Sequence, residues 1–181
     1  GKYAAGIAGL TPSNYAGIDE VASDANAMDA VSASSTAMDA VSASSTAMNA
    51  IVSSEVGGDA YWNAWTFDLS SGSSIKRTFD LSNQSSLEVE WAQNKDVFYQ
   101  DLYREIIVDG TTLLSNDATP GRVTESVDVS SYGEGTTVEL NYTVSNSDIT
   151  EDISVTFSNG ESFVQISDGS DTLDIYRILL S

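Results

Sequence analysis

The sequence predicts a mainly β protein in which a helical, coiled-coil-like neck precedes an antiparallel β-sandwich. Three observations point there. Residues 27–46, AMDAVSASSTAMDAVSASST, are the same ten residues written twice. At SSEVGGDAYWNAW, residues 53–65, an Ala-, Ser- and Met-rich composition gives way to an aromatic and β-branched one. Beyond that point, short runs alternate apolar and polar residues, the pattern of strands with one buried face.

The decad register extends past its perfect copies. Residues 47–56, AMNAIVSSEV, are a degenerate third copy, and 17–26, GIDEVASDAN, a looser earlier one. Ile18, Met28, Met38 and Met48 then share one position, and Val21, Val31, Val41 and Ile51 another. With Ala25, Ser35 and Ser45 between them, the steps run three, four, three, or ten residues in three turns. A heptad gives about 3.5 residues per turn, so the decad acts as a stammer and overwinds a left-handed coiled coil.

A Ser-rich helix with so thin an apolar stripe is not stable alone. The expectation is an intermolecular bundle, with Ile18, Val21, Met28, Val31, Met38, Val41, Met48 and Ile51 as its oligomerisation seam. The alternatives are a strip that packs on another protein, or an irregular low-complexity appendage. Ser and Thr in the seam either let helices approach closely or cap short helical segments. Gly57-Gly58 is the expected boundary between the neck, 17–56, and the sandwich, 59–181.

The sandwich is read from its alternation. In SLEVEWAQ, Leu87, Val89 and Trp91 oppose Glu88 and Glu90. In TTVELNYTVS, Val138, Leu140, Tyr142 and Val144 oppose Thr137, Glu139, Asn141 and Thr143. Ile153, Val155 and Phe157 repeat the pattern in DISVTFS. Asp109-Gly110 and Asn159-Gly160 sit between such runs as hairpin signals. Eight to ten strands follow, and Pro12 and Pro120 are the only prolines.

Charge bounds the function. Twenty-seven acidic residues face seven basic ones, for a net −20, so duplex nucleic acid and anionic membranes are repelled. The acid is scattered rather than blocked into a tail, which favours a halophilic source, where molar salt cuts the Debye length to about 3 Å. Ordinary solubility or a cation-binding surface is the plainer reading. With no Cys and no His, disulfides, thiolate metal sites and the commonest general base are excluded. No motif selects two carboxylates for glycoside hydrolysis, a Ser–Lys dyad has only Lys2, Lys76 and Lys95 to draw on, and no phosphate loop follows a strand. No enzyme is expected. The opening GKYAAGIAGL is too short for a membrane span. Its first Gly fits a lost initiator Met, with a removed leader as the alternative.

Two clusters are candidate sites. YWNAW offers Trp62 and Trp65 as ligand-binding aromatics; three apart on a strand they face opposite ways, so one is expected in the core. The other is free to meet a sugar or to seat the domain on its neck. Trp91 is in phase with the core. SDGSDTLD sets Asp168, Asp171 and Asp174 around a glycine turn, the hard oxygen ligands of a structural calcium or magnesium ion. A solvated acidic turn is the other reading, and no further cofactor is required.

The tandem AMDAVSASST units resemble the AMNAV-ASST decads of tail-fibre and related virion proteins of tailed viruses, over about residues 17–56. That resemblance implies a slender, usually trimeric stalk between a particle-docking segment and a distal β head. Residues 1–16 would meet other virion proteins, with Leu10 and Tyr15 as apolar anchors. Two perfect copies make only a short neck, which departs from the pattern. Separately, REIIVDGTTLL and TESVDVSSYGEGTTVELNYTV, within residues 104–144, resemble the strand–DG–strand and VDLS-Y-G-TV-L grammar of jelly-roll sandwiches in lectin-like and carbohydrate-binding modules. Together they imply a homotrimeric fibre or spike of a virus with a halophilic host, its jelly-roll head attaching to a host-surface glycan or glycoprotein. The alternatives are a capsid decoration or turret protein, and a cellular secreted carbohydrate-binding module.

Overall fold

The computed structural model describes residues 6, 8–68, 73–94, 102–117, 121–144, 153–157, 164–168 and 171–181. After a short 3-10 turn, Pro12–Asn14, come five short helices: α1 (Ile18–Ser23), α2 (Ala25–Ser32), α3 (Ser35–Ser42), α4 (Ser45–Val52) and α5 (Glu55–Asn63). A cap recurs every ten residues and ends each helix as it starts the next. Asp24 accepts from the amides of Asn26 and Ala27 at 2.9 and 3.1 Å. Ser34, Ser44 and Ser54 accept from Ala37, Ala47 and Gly57 at 3.2, 3.3 and 3.2 Å. All four cap residues have extended backbone, so the chain turns at each of them. The overwound continuous helix is therefore not formed; the serines act as N-caps.

The broken helix folds back on itself. α5 packs on α1, α2 and α4, while α3 and α4 rest on the β-sandwich. This changes what the apolar stripe meets. Met28, Met38 and Met48 are 0% exposed, and Val21, Val31, Val41 and Ile51 are 1–2% exposed; Ile18 is half-buried. The expected seam is thus consumed within one chain and is not open to a second copy. Leu10 and Tyr15, expected as outward anchors, pack beside Val21 and Ala27 instead.

The expected boundary also moves. Gly57 and Gly58 lie inside α5, where a Cβ on Gly57 would come within 3.0 Å of the Ala22 carbonyl oxygen and 3.1 Å of the Ile51 one. The glycine is there for close approach of helix backbones. The helical layer runs to Asn63, and the first strand starts at Thr66.

Among the described residues, the remainder is an antiparallel sandwich of ten strands: β1 (Thr66–Asp68), β2 (Ser73–Asp80), β3 (Ser86–Asn94), β4 (Leu102–Val108), β5 (Thr111–Asp117), β6 (Gly121–Asp128), β7 (Glu134–Val144), β8 (Ile153–Phe157), β9 (Val164–Asp168) and β10 (Asp171–Leu180). One sheet has the order β1-β2-β7-β4-β5 and the other β6-β3-β10-β9-β8. Asp109 and Gly110, with φ of 46° and 75°, close the two-residue β4–β5 hairpin. The Asn159-Gly160 turn lies outside the described residues, though β8 and β9 pair antiparallel on either side of it. Leu87, Val89, Trp91, Val138 and Leu140 are fully buried, as the alternation predicts. For Tyr142, Val144, Ile153, Val155 and Phe157 the strands are described and the side chains are not. Among the described residues, no helix is long and apolar enough to cross a membrane.

Candidate functional site

A cleft of about 230 Å³ opens where the end of α4 meets β3, β6 and β10. Its polar lining comes from Asn49, Ser53, Glu90, Arg122, Tyr176 and Arg177. The decisive local feature is a β-bulge. Along β10, Ile175 pairs with Trp91 and Arg177 with Glu90, so the register shifts by one residue at Tyr176. Ile175 and Ile178 are both fully buried although three apart; only a bulge reconciles that with strand alternation. Both residues between them, Tyr176 and Arg177, stay partly exposed and line the cleft.

Charge pairs fix the geometry. Arg122 donates from Nε to Glu90 Oε1 at 2.6 Å, and Arg177 Nη2 lies 3.1 Å from Glu90 Oε2. Arg177 also donates from Nη1 to Asn49 Oδ1 at 3.1 Å, tying the strand to α4. The Arg122 guanidinium stacks 3.9 Å above the Tyr176 ring, a cation–π contact that sets its plane. One carboxylate therefore orients two guanidiniums beside an aromatic ring, an amide and a serine. The set carries the hydroxyls of Ser53 and Tyr176 and the Glu90 carboxylate. It is equipped to bind a polar ligand through paired hydrogen bonds.

No protein-family model and no curated protein matches the chain. Among solved structures, it is similar to a carbohydrate-binding module, CBM36, in complex with calcium and xylotriose: 12% identity and a TM-score of 0.38, covering 62% of this chain and 76% of that one. It is also similar to the CBM36-1 domain of a multidomain xylanase from the hindgut metagenome of Trinervitermes trinervoides, at 14% identity and a TM-score of 0.33 over 65% and 84% of the two chains. A third is the CBM51-2 and INT domains of Clostridium perfringens ZmpB, at 14% identity and a TM-score of 0.38. There the likeness covers 65% of this chain but 21% of the other. These are partial likenesses, and none assigns a function.

The residues singled out in the sequence lie elsewhere. Trp62 is on α5 and Trp65 just past its end; residues three apart on a helix share a face, and both are buried, at 1% and 4% exposure. Their ring centroids are 5.7 Å apart, and Trp65 meets Phe79 of β2 at 5.6 Å. They join the helices to the sandwich and are covered from any ligand. Asp168 and Asp171 are Cα partners across the β9–β10 hairpin, with side chains outside the described residues. Asp174 is buried at 5% exposure. Among the described residues, no group of three or more acidic side chains is placed to hold a metal ion, so the calcium or magnesium site finds no described cage.

A second cleft, of about 580 Å³, lies between α3 and the turns beside β2 and β7. Its best-placed carboxylate is already engaged. Asp39 accepts from Arg77 Nη2 at 2.7 Å and from the Asp80 amide at 3.0 Å. Burial pushes Asp39 above the usual carboxylate value, against the pull of that amide and of Arg77. Arg77 also donates to the Ser35 carbonyl at 3.2 Å. This is a clamp between α3 and β2.

Tyr176, Arg177, Arg122, Glu90 and Asn49 carry no sequence motif, because strand pairing is what assembles them. The one local signal is in DIYRIL, where Ile175 and Ile178 break the period of two.

Proposed function

We propose that the chain is a non-catalytic carbohydrate-binding module and that the Tyr176 cleft is its sugar site. The observation that carries this is the β10 bulge, which brings Tyr176 and Arg177 to the cleft together, beside Glu90 and Arg122. Sugars present adjacent hydroxyls and an apolar C–H face. A carboxylate, two guanidiniums and an amide in fixed positions satisfy the hydroxyls, and a partly exposed tyrosine supplies an amphipathic wall. At about 230 Å³ the cleft is below the roughly 300–1,000 Å³ of drug-sized pockets, which suits one sugar unit at a chain end or branch.

On the decad likeness alone, the setting we propose is the surface of a virus particle whose host lives in high salt, with the glycan on that host. The self-assembled trimeric stalk is no part of this proposal, since its seam residues are used within the chain. The test is a glycan array probed with the full chain, followed by titration calorimetry on whatever it retains. Tyr176→Ala should weaken binding ten-fold or more, while Ser130→Ala, at an exposed turn residue outside the cleft, should leave it unchanged. Retention of no saccharide, or equal binding by the tyrosine variant, would sink the reading.

A further inference from the structure

We infer that the second cleft, between α3 and the turns beside β2 and β7, is a separate binding site for an uncharged saccharide. It shares no lining residue with the Tyr176 cleft and stands or falls independently of that reading. Its volume of about 580 Å³ lies within the roughly 300–1,000 Å³ of ligand pockets. Its two walls are fixed before any ligand arrives. Asp39 on α3 accepts from Arg77 and from the Asp80 amide, and Arg77 also donates to the Ser35 carbonyl, so helix and sandwich are pinned together at the cleft. On the sandwich side, the Leu81 amide donates to the Gly133 carbonyl and the Gln84 amide to the Leu81 carbonyl, both at 3.0 Å. The turn after β2 is thereby held against the chain entering β7, and walls set in advance lower the ordering cost of binding.

The lining decides the ligand's chemistry. Thr36 on the helix and Thr78, Asn83 and Gln84 on the sandwich face the cleft, and among the described residues no hydrogen bond engages their side chains. Hydroxyls and carboxamides both donate and accept, as the hydroxyls of a sugar do. The methyls of Ala40 and Ala43 line the same cleft and offer apolar surface to a sugar's C–H face. Charge excludes the ionic alternatives. Among the described residues no Lys or Arg lines the cleft, whereas Asp39, Asp80 and Glu134 do, so an anionic ligand is repelled. A cation finds little to hold it. Asp39 is matched by Arg77, and Asp80 and Glu134 are exposed to water, where the pull of a carboxylate on a cation is weak. What remains open in the cleft is its neutral hydrogen-bonding groups.

The experiment is titration calorimetry on the full chain and on its Tyr176→Ala variant, which disables the other cleft. The probes are xylo-, cello- and N-acetylchito-oligosaccharides, with chitosan oligomers and oligogalacturonate as cationic and anionic counterparts. At least one uncharged oligosaccharide should bind Tyr176→Ala at one equivalent per chain. In that background Asn83→Ala should weaken the binding ten-fold or more. So should Ala43→Tyr, which fills the cleft from the exposed end of α3 and keeps the test alive if the turn variant fails to fold. Raising salt from 0.15 M to 1 M, which shortens the Debye length from about 8 to about 3 Å, should change the affinity less than three-fold. If Tyr176→Ala binds none of the uncharged probes, the second site is overturned, and wild-type binding then leaves the Tyr176 cleft standing. Binding that survives both Asn83→Ala and Ala43→Tyr lies elsewhere and overturns it too, as does tighter capture of the chitosan oligomer than of its N-acetylated form. Equal binding by wild type and Tyr176→Ala, lost in Asn83→Ala, would support this site and remove the other.

Discussion

At the scale of single residues, two carboxylates inside the fold respond to acid in opposite directions. Glu125 sits on edge strand β6 and reaches across to Arg104 on the other sheet, with Nε–Oε2 at 2.7 Å and Nη2–Oε1 at 3.0 Å. The indole of Trp91 and the amide of Asn116 donate to it as well. Burial alone would raise its pKa, but hydrogen bonds from Arg104 and Asn116, with the Arg104 charge, outweigh burial and bring it below 4.5. A lowered folded value means stability that is present above the unfolded value and lost as pH falls through the folded one. Asp39 has the reverse sign. Held above 3.8 by burial, it favours the fold most below that value and loses this contribution as pH rises through its raised one. Urea unfolding at pH 6 and pH 3.5 should therefore show an acid loss in the wild type that Glu125→Gln shrinks. At pH 6 the same variant should cost about 3 kcal/mol, the low end for leaving a buried charge unpaired, because Glu125 keeps some solvent contact. An acid limb unchanged by Glu125→Gln would assign the pH response to other groups.

At the scale of elements, the decad is a device for ending helices. Ser34→Ala and Ser44→Ala should each cost about 1 kcal/mol, the ordinary value of a lost cap. Ser54→Ala should cost more, since its hydroxyl also donates to the Ala22 carbonyl at 2.7 Å and ties α5 to α1. Gly57→Ala is the sharper case. Helix propensity favours alanine by about 1 kcal/mol, yet the new methyl would press on backbone atoms of Ala22 and Ile51, and such overpacking costs about 1–3 kcal/mol. Urea midpoints should show net destabilisation; a stabilised Gly57→Ala would mean that α5 does not approach those backbones so closely. These same residues show how much was legible. Period and phase of the apolar stripe are local properties, so Met28, Met38 and Met48 read as one packing face, expected against other copies and found buried within the chain. Whether the decad's serines line a seam, as expected of Ser35 and Ser45, or cap helices, as Ser34 and Ser44 do, depends on whether the stripe meets its own chain or another, which no local pattern records. Gly57-Gly58 reads as a boundary because glycine is the residue of both linkers and tight packing. The strands around Asp109-Gly110 were legible for the opposite reason, since a two-residue turn encodes its own geometry. The cleft was not, because Glu90, Arg122 and Arg177 meet only through pairing among β3, β6 and β10.

At the scale of the whole molecule, helices and sandwich share one core. Met38, Met48, Tyr61, Trp62 and Trp65 belong to the same buried cluster as Phe79, Trp91 and Ile178, and the Arg77–Asp39 pair clamps the rim of that joint. A chain cut at the glycine pair would lose the first part of α5 and strip the cover from the sandwich, so the helical layer belongs to the same folded unit as the sandwich. The distinction has a measurable consequence. If the methionine stripe joined copies, Met38→Ala would lower the mass of the particle in solution, and its stability would vary with protein concentration. With the stripe buried inside one chain, the same substitution opens a cavity in the core, at a cost of about 2–5 kcal/mol, and leaves the mass as it was. Light scattering in molar KCl, paired with urea unfolding at two protein concentrations, separates the two. The expected result is a lower unfolding midpoint, no dependence on concentration, and the same mass as wild type. A fall in mass on Met38→Ala would restore the seam between copies and remove the internal packing from which the position of the Tyr176 cleft follows.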